Sequence, residues 1–318
     1  FAPGVLAAFA LVLAAGWSQR FGGLEETRRY FYAYVYPTMQ DVPPEYLKKM
    51  ASNRIFSTLF YPNALAGALL LVTPFCLAAI AGARRWFTAG ARWFLCLVVA
   101  AASLACLYWS GSKGGWLLML LLSLVALLRL RFPRRFKVAL VGLVLLAGLA
   151  GFFLKYAGFF EKGATSVAAR FDYWHAALET AEAHPLVGTG PGTFARPYER
   201  LKRPESEMSR LTHNDYLEQA SDSGWPAFLL YVAFVVGGLI YGYPRQAPGK
   251  GAEGGKDNWL AFAVWLGVLG WALQSAEEFS LYIPALAWLA CAWLGWLLRE
   301  RSAEFSPQRS PKASRVAT

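Results

Sequence analysis

Residues 209–225 read SRLTHNDYLEQASDSGW and place a His, an Asn, an Asp and a Tyr directly before an apolar run. A neutral imidazole can take a proton from an attacking hydroxyl, and polar neighbours fix which ring nitrogen does so. Thr212 with Asp215 three residues on resembles a capping box, so the spacing predicts a helix from His213 with Tyr216, Leu217 and Ala220 on the same face. At a helix's first turn the macrodipole favours the uncharged ring. His213 is therefore the candidate general base, with Asn214, Asp215 and Tyr216 as its supports. His175 and His184 lack such company and read as structural.

Three cations suit an anionic ligand. Arg170, in SVAARFDYWHAAL, stands near the start of a helix that His184–Pro185 ends. The dipole disfavours a structural cation there, which points to an anion from elsewhere. The alternative is a solvated Arg paired with Asp172 or a lipid phosphate. On that helix Phe171, Trp174, Leu178 and Ala181 recur at helical spacing, as on an amphipathic helix lying against a membrane. Lys113 in WSGSKGGW and Arg54 in NRIFSTLFYPN each precede an apolar run. Arg supplies bidentate forks and Lys a point charge, so together they fit a diphosphate. Glu277 and Glu278 are placed to pair with these cations or to hold a hydroxylated substrate. The GTGPG stretch of residues 188–192 follows a helix and precedes no Lys, so it reads as a turn rather than a phosphate loop.

These residues are embedded in a chain of 318 residues that is 56% hydrophobic and only 16% charged. Its apolar residues are blocked into runs, at Pro3–Trp17, Asn63–Gly82, Arg92–Trp109, Gly115–Leu128, Phe136–Leu154, Trp225–Tyr241, Trp259–Gln274 and Leu281–Leu298. A soluble core holds one or two such runs; eight predict an all-α polytopic membrane protein. Phe1 leads straight into the first of them, which predicts a fragment lacking upstream spans. Cys76, Cys96, Cys106 and Cys291 all lie in these runs and read as small hydrophobes.

The connections after the second, fourth and sixth runs, with the tail from Arg299, hold 16 Lys/Arg against 4 Asp/Glu, and the other connections hold 15 against 16. Such alternation is the positive-inside pattern and predicts cytoplasmic ends. It accounts for the net charge of +11 without nucleic acid. The domain reading is then membrane helices over 1–154 with an outer loop at 18–62, a large outer loop at 155–224, further spans over 225–298, and a disordered basic tail at 299–318. Both outer loops carry candidate site residues. Outside the cytoplasm no nucleotide is at hand, so a donor must arrive activated, and a lipid-linked diphosphate meets that need.

RFDYWHAAL, HPLVGTGPGTF and THNDYLEQASDSGWPAFLLY, preceded by RIFSTLFYPNALAGALLL and SGSKGGWLLMLL, resemble the O-antigen ligase and polymerase superfamily of bacterial envelope glycosyltransferases in type and order. The resemblance spans roughly residues 50–300. It implies a type-C-like membrane glycosyltransferase fold of about twelve helices, eight of them here, with a large helical periplasmic loop. It further implies inverting transfer of a glycan from a polyprenyl diphosphate to a hydroxyl such as that of lipid A-core, with neither metal nor nucleotide cofactor. His213 matches the family's base and Arg170 its donor-binding Arg. Lys113 stands where the family usually has Arg, which keeps the charge and loses the fork. An O-antigen polymerase or a protein O-oligosaccharyltransferase would use the same residues. A transporter of lipid-linked sugars or small anions is the reading from another class, but transporters keep charges near mid-membrane, whereas here they collect at one rim.

Overall fold

The computed structural model describes residues 1–39, 42, 47, 50–59, 61–130, 132–161, 165–204, 206–245 and 254–305. All regular structure among them is helical, and no strand occurs. The helices are α1 (Ala2–Ser18), α2 (Leu24–Tyr30), α3 (Pro62–Gly82), α4 (Ala89–Ser110), α5 (Lys113–Arg129), α6 (Arg134–Glu161), α7 (Thr165–Ala183), α8 (Ala195–Leu201), α9 (Asp215–Val232), α10 (Gly254–Gln274) and α11 (Pro284–Phe305). The apolar runs of the sequence fall mainly on these helices; the Trp225–Tyr241 run continues past α9 through a π-type turn at Ala233–Gly237 to Tyr241. Among the described residues five stretches are long and apolar enough to cross a membrane: Ala2–Thr38, Pro62–Gly82, Ala89–Ser110, Arg134–Phe159 and Asp215–Tyr241, with Trp259–Gln274 a shorter apolar helix. The chain is an integral membrane protein.

Helix α3 lies at the centre, with Leu65, Leu69, Leu70 and Leu71 fully buried, and α10 packs along it. The two backbones touch because Gly267 faces the Leu71 carbonyl and Gly270 faces Leu70 and Leu122; a side chain at Gly267 would collide with backbone. Small residues let membrane helices approach this closely. Helices α4 and α5 pack against the same core.

Several boundaries differ from the sequence reading. The segment after Ser18 is not a plain loop: helix continues through a π-type turn at Gln19–Gly23, kinked where Gly22 takes φ +133°, into α2. Helix α6 runs on to Glu161 rather than ending at Leu154, so Lys155 is a helical residue. Within α9 only Gly224, at φ +80°, departs from helical geometry. There the Pro185 carbonyl accepts from the Trp225 amide at 2.9 Å, so a loop fills the gap the kink opens. The last span begins at Pro284, because Leu281 lies in a short 3-10 turn. Arg299–Phe305 extend α11 rather than opening a tail, and the expected disorder from Ser306 onward lies outside the described residues.

Candidate active site

The GTGPG stretch is a turn, as expected. Its Gly190 amide donates to the Asp222 carbonyl at 2.8 Å, and its Gly192 amide donates to the Asp222 carboxylate at 2.5 Å. This docks the loop after α7 on the start of α9. On α7 itself Tyr173, Ala176, Ala177 and Ala181 are buried, while Phe171 stays 60% exposed and faces outward with Leu178. The helix is as predicted; of its apolar stripe Phe171 and Leu178 are exposed, Trp174 is partly buried against the cluster of Tyr173 and Tyr198, and Ala181 is buried.

Asn214, not Thr212, caps α9. Its side-chain oxygen accepts from the amides of Tyr216 and Leu217 at 3.1 Å each. His213 thus sits just outside the helix rather than in its first turn, and takes φ +52°, which disfavours any residue with a Cβ. Thr212 and Glu218 hold it there. The Thr212 amide donates to Glu218 Oε2 at 2.6 Å, and the Thr212 hydroxyl donates to the Asn214 carbonyl at 2.7 Å. Strain of this kind persists where surroundings over-determine it and gathers at functional sites.

A cavity of about 620 Å³ brings together Arg54, Lys113, Arg170, His213, Glu277 and Glu278. Its other wall is apolar, from Leu117 on α5 and Leu149, Phe152 and Phe153 on α6. Asn214, Asp215 and Tyr216 do not reach it. The Asp215 carboxylate accepts from the Leu281 amide at 2.8 Å, and the Tyr216 hydroxyl donates to the Ala272 carbonyl at 2.9 Å. Asp215 thus anchors α9 to the α10–α11 connection and Tyr216 anchors it to α10, while the Asn214 side chain caps α9 itself. His175 and His184 do not line the cavity either; His175 lies beside Glu179, 3.6 Å away.

The group that orients the imidazole is Glu278, which is 4% exposed. Its Oε2 lies 3.2 Å from His213 Nδ1. Its Oε1 accepts from Arg170 Nη2 and, at 2.5 Å, from Asn63 Nδ2. Burial raises the carboxyl's pKa, but His213, Arg170 and the Asn63 amide outweigh it and hold the group below its ordinary value. An anionic Glu278 is an acceptor for a proton on Nδ1, and with the proton there Nε2 is the ring nitrogen left to accept one. Tyr173 stacks on the imidazole and Phe279 meets it edge-on, with centroids 5.8 and 5.0 Å away.

The cations are also pinned. Arg170 Nε donates to the Glu277 carbonyl at 3.0 Å, so this Arg pairs with the 277–278 segment and not with Asp172. Asp172 accepts instead from the Ser206 hydroxyl at 2.7 Å. Arg54 Nε donates to the Ser110 carbonyl and Nη2 to Asn63 Oδ1, both at 2.6 Å. Burial lowers the Arg54 pKa, with Tyr61 and Glu278 opposing. Lys113, the first residue of α5, lies 4.0 Å above the Phe159 ring. The Glu277 carboxylate presses on Gly114, where a Cβ has no room. Burial and the neighbouring Glu278 push Glu277 up to about 7, with Arg170 opposing. Among the described residues no group of three or more His, Cys, Asp or Glu could hold a metal ion.

Asn63 and the central part of Glu278 were not legible from sequence spacing. The hydrogen bonds that reveal them span 215, 108 and 65 residues. The available signals were an acidic pair at an outer rim and a polar residue opening an apolar run.

The family model for O-antigen ligase matches residues 98–232, which bears out the resemblance to the O-antigen ligase superfamily. The matched segment contains Lys113, Arg170 and His213. It indicates an integral membrane protein of the glycosyltransferase type. A search of the curated proteins found no match.

Proposed function

We propose, on the premise that residues 98–232 place this chain in the O-antigen ligase superfamily, that it transfers a glycan from a polyprenyl diphosphate to an acceptor hydroxyl. The acceptor is lipid A-core or a similar molecule, and the reaction runs at the outer face of the cytoplasmic membrane within a type-C-like architecture. One observation carries the reading: a carboxylate-oriented imidazole and three cations line a single cavity whose opposite wall is apolar. A lipid-linked diphosphate needs both surfaces.

His213 Nε2 takes the acceptor's hydroxyl proton as that oxygen bonds the anomeric carbon. The bond from that carbon to the diphosphate breaks, and its electron pair leaves on the polyprenyl diphosphate. Arg170, Lys113 and Arg54 neutralise the charge that develops there. Attack opposite the leaving group inverts the centre. The reaction so drawn uses no nucleotide and no metal.

The test is to incubate purified protein with a polyprenyl-diphosphate glycan and candidate acceptors, then follow by mass spectrometry which acceptor gains mass. His213→Asn is the informative variant, because Asn tolerates a positive φ and preserves the loop. It should retain detergent-solubilised stability while losing about 10²–10⁴-fold in turnover. Arg170→Ala should abolish transfer, and Lys113→Arg should keep it. Undiminished transfer by His213→Asn sinks the base assignment.

A further inference from the structure

A second hollow, of about 540 Å³, adjoins the first and shares Arg54 and Gly111 with it. Its walls are the kinked segment from Gln19 to Glu25, residues Asn53 to Ile55, the end of α4 at Tyr108 and Trp109, and Lys155 on α6. Arg28, also at its edge, is committed to structure: it donates to the carbonyls of Met50, Ala51 and Ser52, to the Asn53 side chain and to Glu25. That accounts for the one carboxylate in the lining.

Three positive groups remain. Arg20 has no carboxylate partner among the described residues; its guanidinium lies 5.8 Å from the ring centroids of both Phe21 and Trp109. Lys155 Nζ sits 3.0 Å above the Tyr108 ring and donates to the Tyr108 carbonyl. Arg54 separates the two hollows. Cations, aromatic faces and amide or carbonyl groups gathered in one recess suit a sugar ring that carries an anionic substituent. The rings offer flat apolar surfaces for the sugar's C–H face, and the cations take the anion.

The second hollow is wired to the first. Arg54 Nη2 donates to Asn63 Oδ1 at 2.6 Å, Asn63 Nδ2 donates to Glu278 Oε1 at 2.5 Å, and Glu278 Oε2 meets His213 Nδ1 at 3.2 Å. A ligand that engages Arg54 therefore acts on a chain of hydrogen bonds that ends at the imidazole.

We propose that the Arg20–Trp109–Lys155 hollow is the acceptor subsite and takes a saccharide bearing phosphate or carboxylate. This rests on the transferase reading above. Binding can be read without transfer, so the two can fail separately. The experiment titrates glucose 6-phosphate, glucose and inorganic phosphate into the full chain in detergent and follows binding by ligand-detected NMR.

Glucose 6-phosphate should bind about tenfold more tightly than either glucose or phosphate, since charge-assisted hydrogen bonds and ring contact act together. Arg20→Ala and Lys155→Ala should each weaken it about fivefold or more, Arg20→Lys should recover part of the loss, and Gly142→Ala, which lines neither hollow, should leave it unchanged. A chain that binds in this pattern yet transfers no glycan would retain the subsite and lose the transferase reading. Equal binding of phosphate and glucose 6-phosphate would assign the hollow to a headgroup phosphate and overturn the saccharide. Affinity unmoved by both Arg20→Ala and Lys155→Ala overturns the site.

Discussion

Glu277 and Glu278 are neighbours with opposite electrostatic fates. Glu278 is ringed by His213, Arg170 and Asn63, which keep it ionised, whereas Glu277 presses on Gly114 and is pushed up to about 7 by burial and by Glu278. The charges facing Glu277 in the cavity are Arg170, Lys113, Arg54 and Glu278, with the exposed Glu207 at the rim. A diphosphate entering this space disfavours the ionised form, so donor binding should draw Glu277 to its neutral form. Below about pH 7 the carboxyl is already neutral; above it, binding must take up a proton. The donor KM should therefore rise with pH above about 7, approaching tenfold per unit at the limit. Glu277→Gln should flatten that rise, as initial rates at varied donor between pH 6 and 8.5 would show; an unaltered slope in the variant removes Glu277 from the donor's path. The proposed base was legible from residue types, because a His in polar company before a span is unusual. Its supports were not. Asn214 and Asp215 are adjacent in sequence, but the positive φ at His213 turns the ring away from them toward Glu278.

At the scale of helices, apolar runs reported the elements well, because a stretch in lipid must satisfy its own backbone and does so as helix. They reported the ends poorly. Lys155 looked like the start of a loop, yet α6 carries it onward, its ammonium resting on Tyr108. Nor did they report which faces meet, since helices apolar all round give no stripe to read. The α3–α10 contact depends on glycines instead. Gly267→Val would push side-chain atoms into the Leu71 carbonyl, a backbone group that cannot rotate away. It should cost about 1–3 kcal/mol or more by overpacking and lower the thermal midpoint in detergent. Gly142→Ala on α6, where a Cβ meets nothing, is the control and should leave the midpoint unchanged or raise it slightly. Asn63 opens α3 and Gln274 ends α10, with Gln274 Nε2 donating to the Asn63 carbonyl at 2.7 Å. Loosening this contact should therefore reduce transfer together with stability, a coupling absent from variants of the cavity alone.

For the whole molecule, the order of connections sorts the charges. Helices α3, α4, α5 and α6 alternate in direction through short links, so the links at 83–88 and 130–133 share one end and the 111–112 link lies at the other. Two basic residues at the first end cap helix termini, Arg92 donating to the Ala81 carbonyl at 2.6 Å and Lys137 to the Leu128 carbonyl at 3.1 Å, and Arg129 donates to the Pro244 carbonyl in the chain beyond Tyr241 at 2.8 Å. Cations are stabilised at helix C-termini by the helix dipoles. The opposite end holds Asn63, Lys113, His213 and Glu278. Charge alternation and the proposed lipid-carried donor make the same demand on orientation, and we propose that the basic links face the cytoplasm and the cavity faces out. Single cysteines in a cysteine-free background test it directly. With a membrane-impermeant maleimide on intact cells, Arg200→Cys should label and Arg85→Cys should label only after lysis. The reverse pattern would put the imidazole on the side where nucleotide-activated sugars are made, and the argument for a lipid-carried donor would lose its ground.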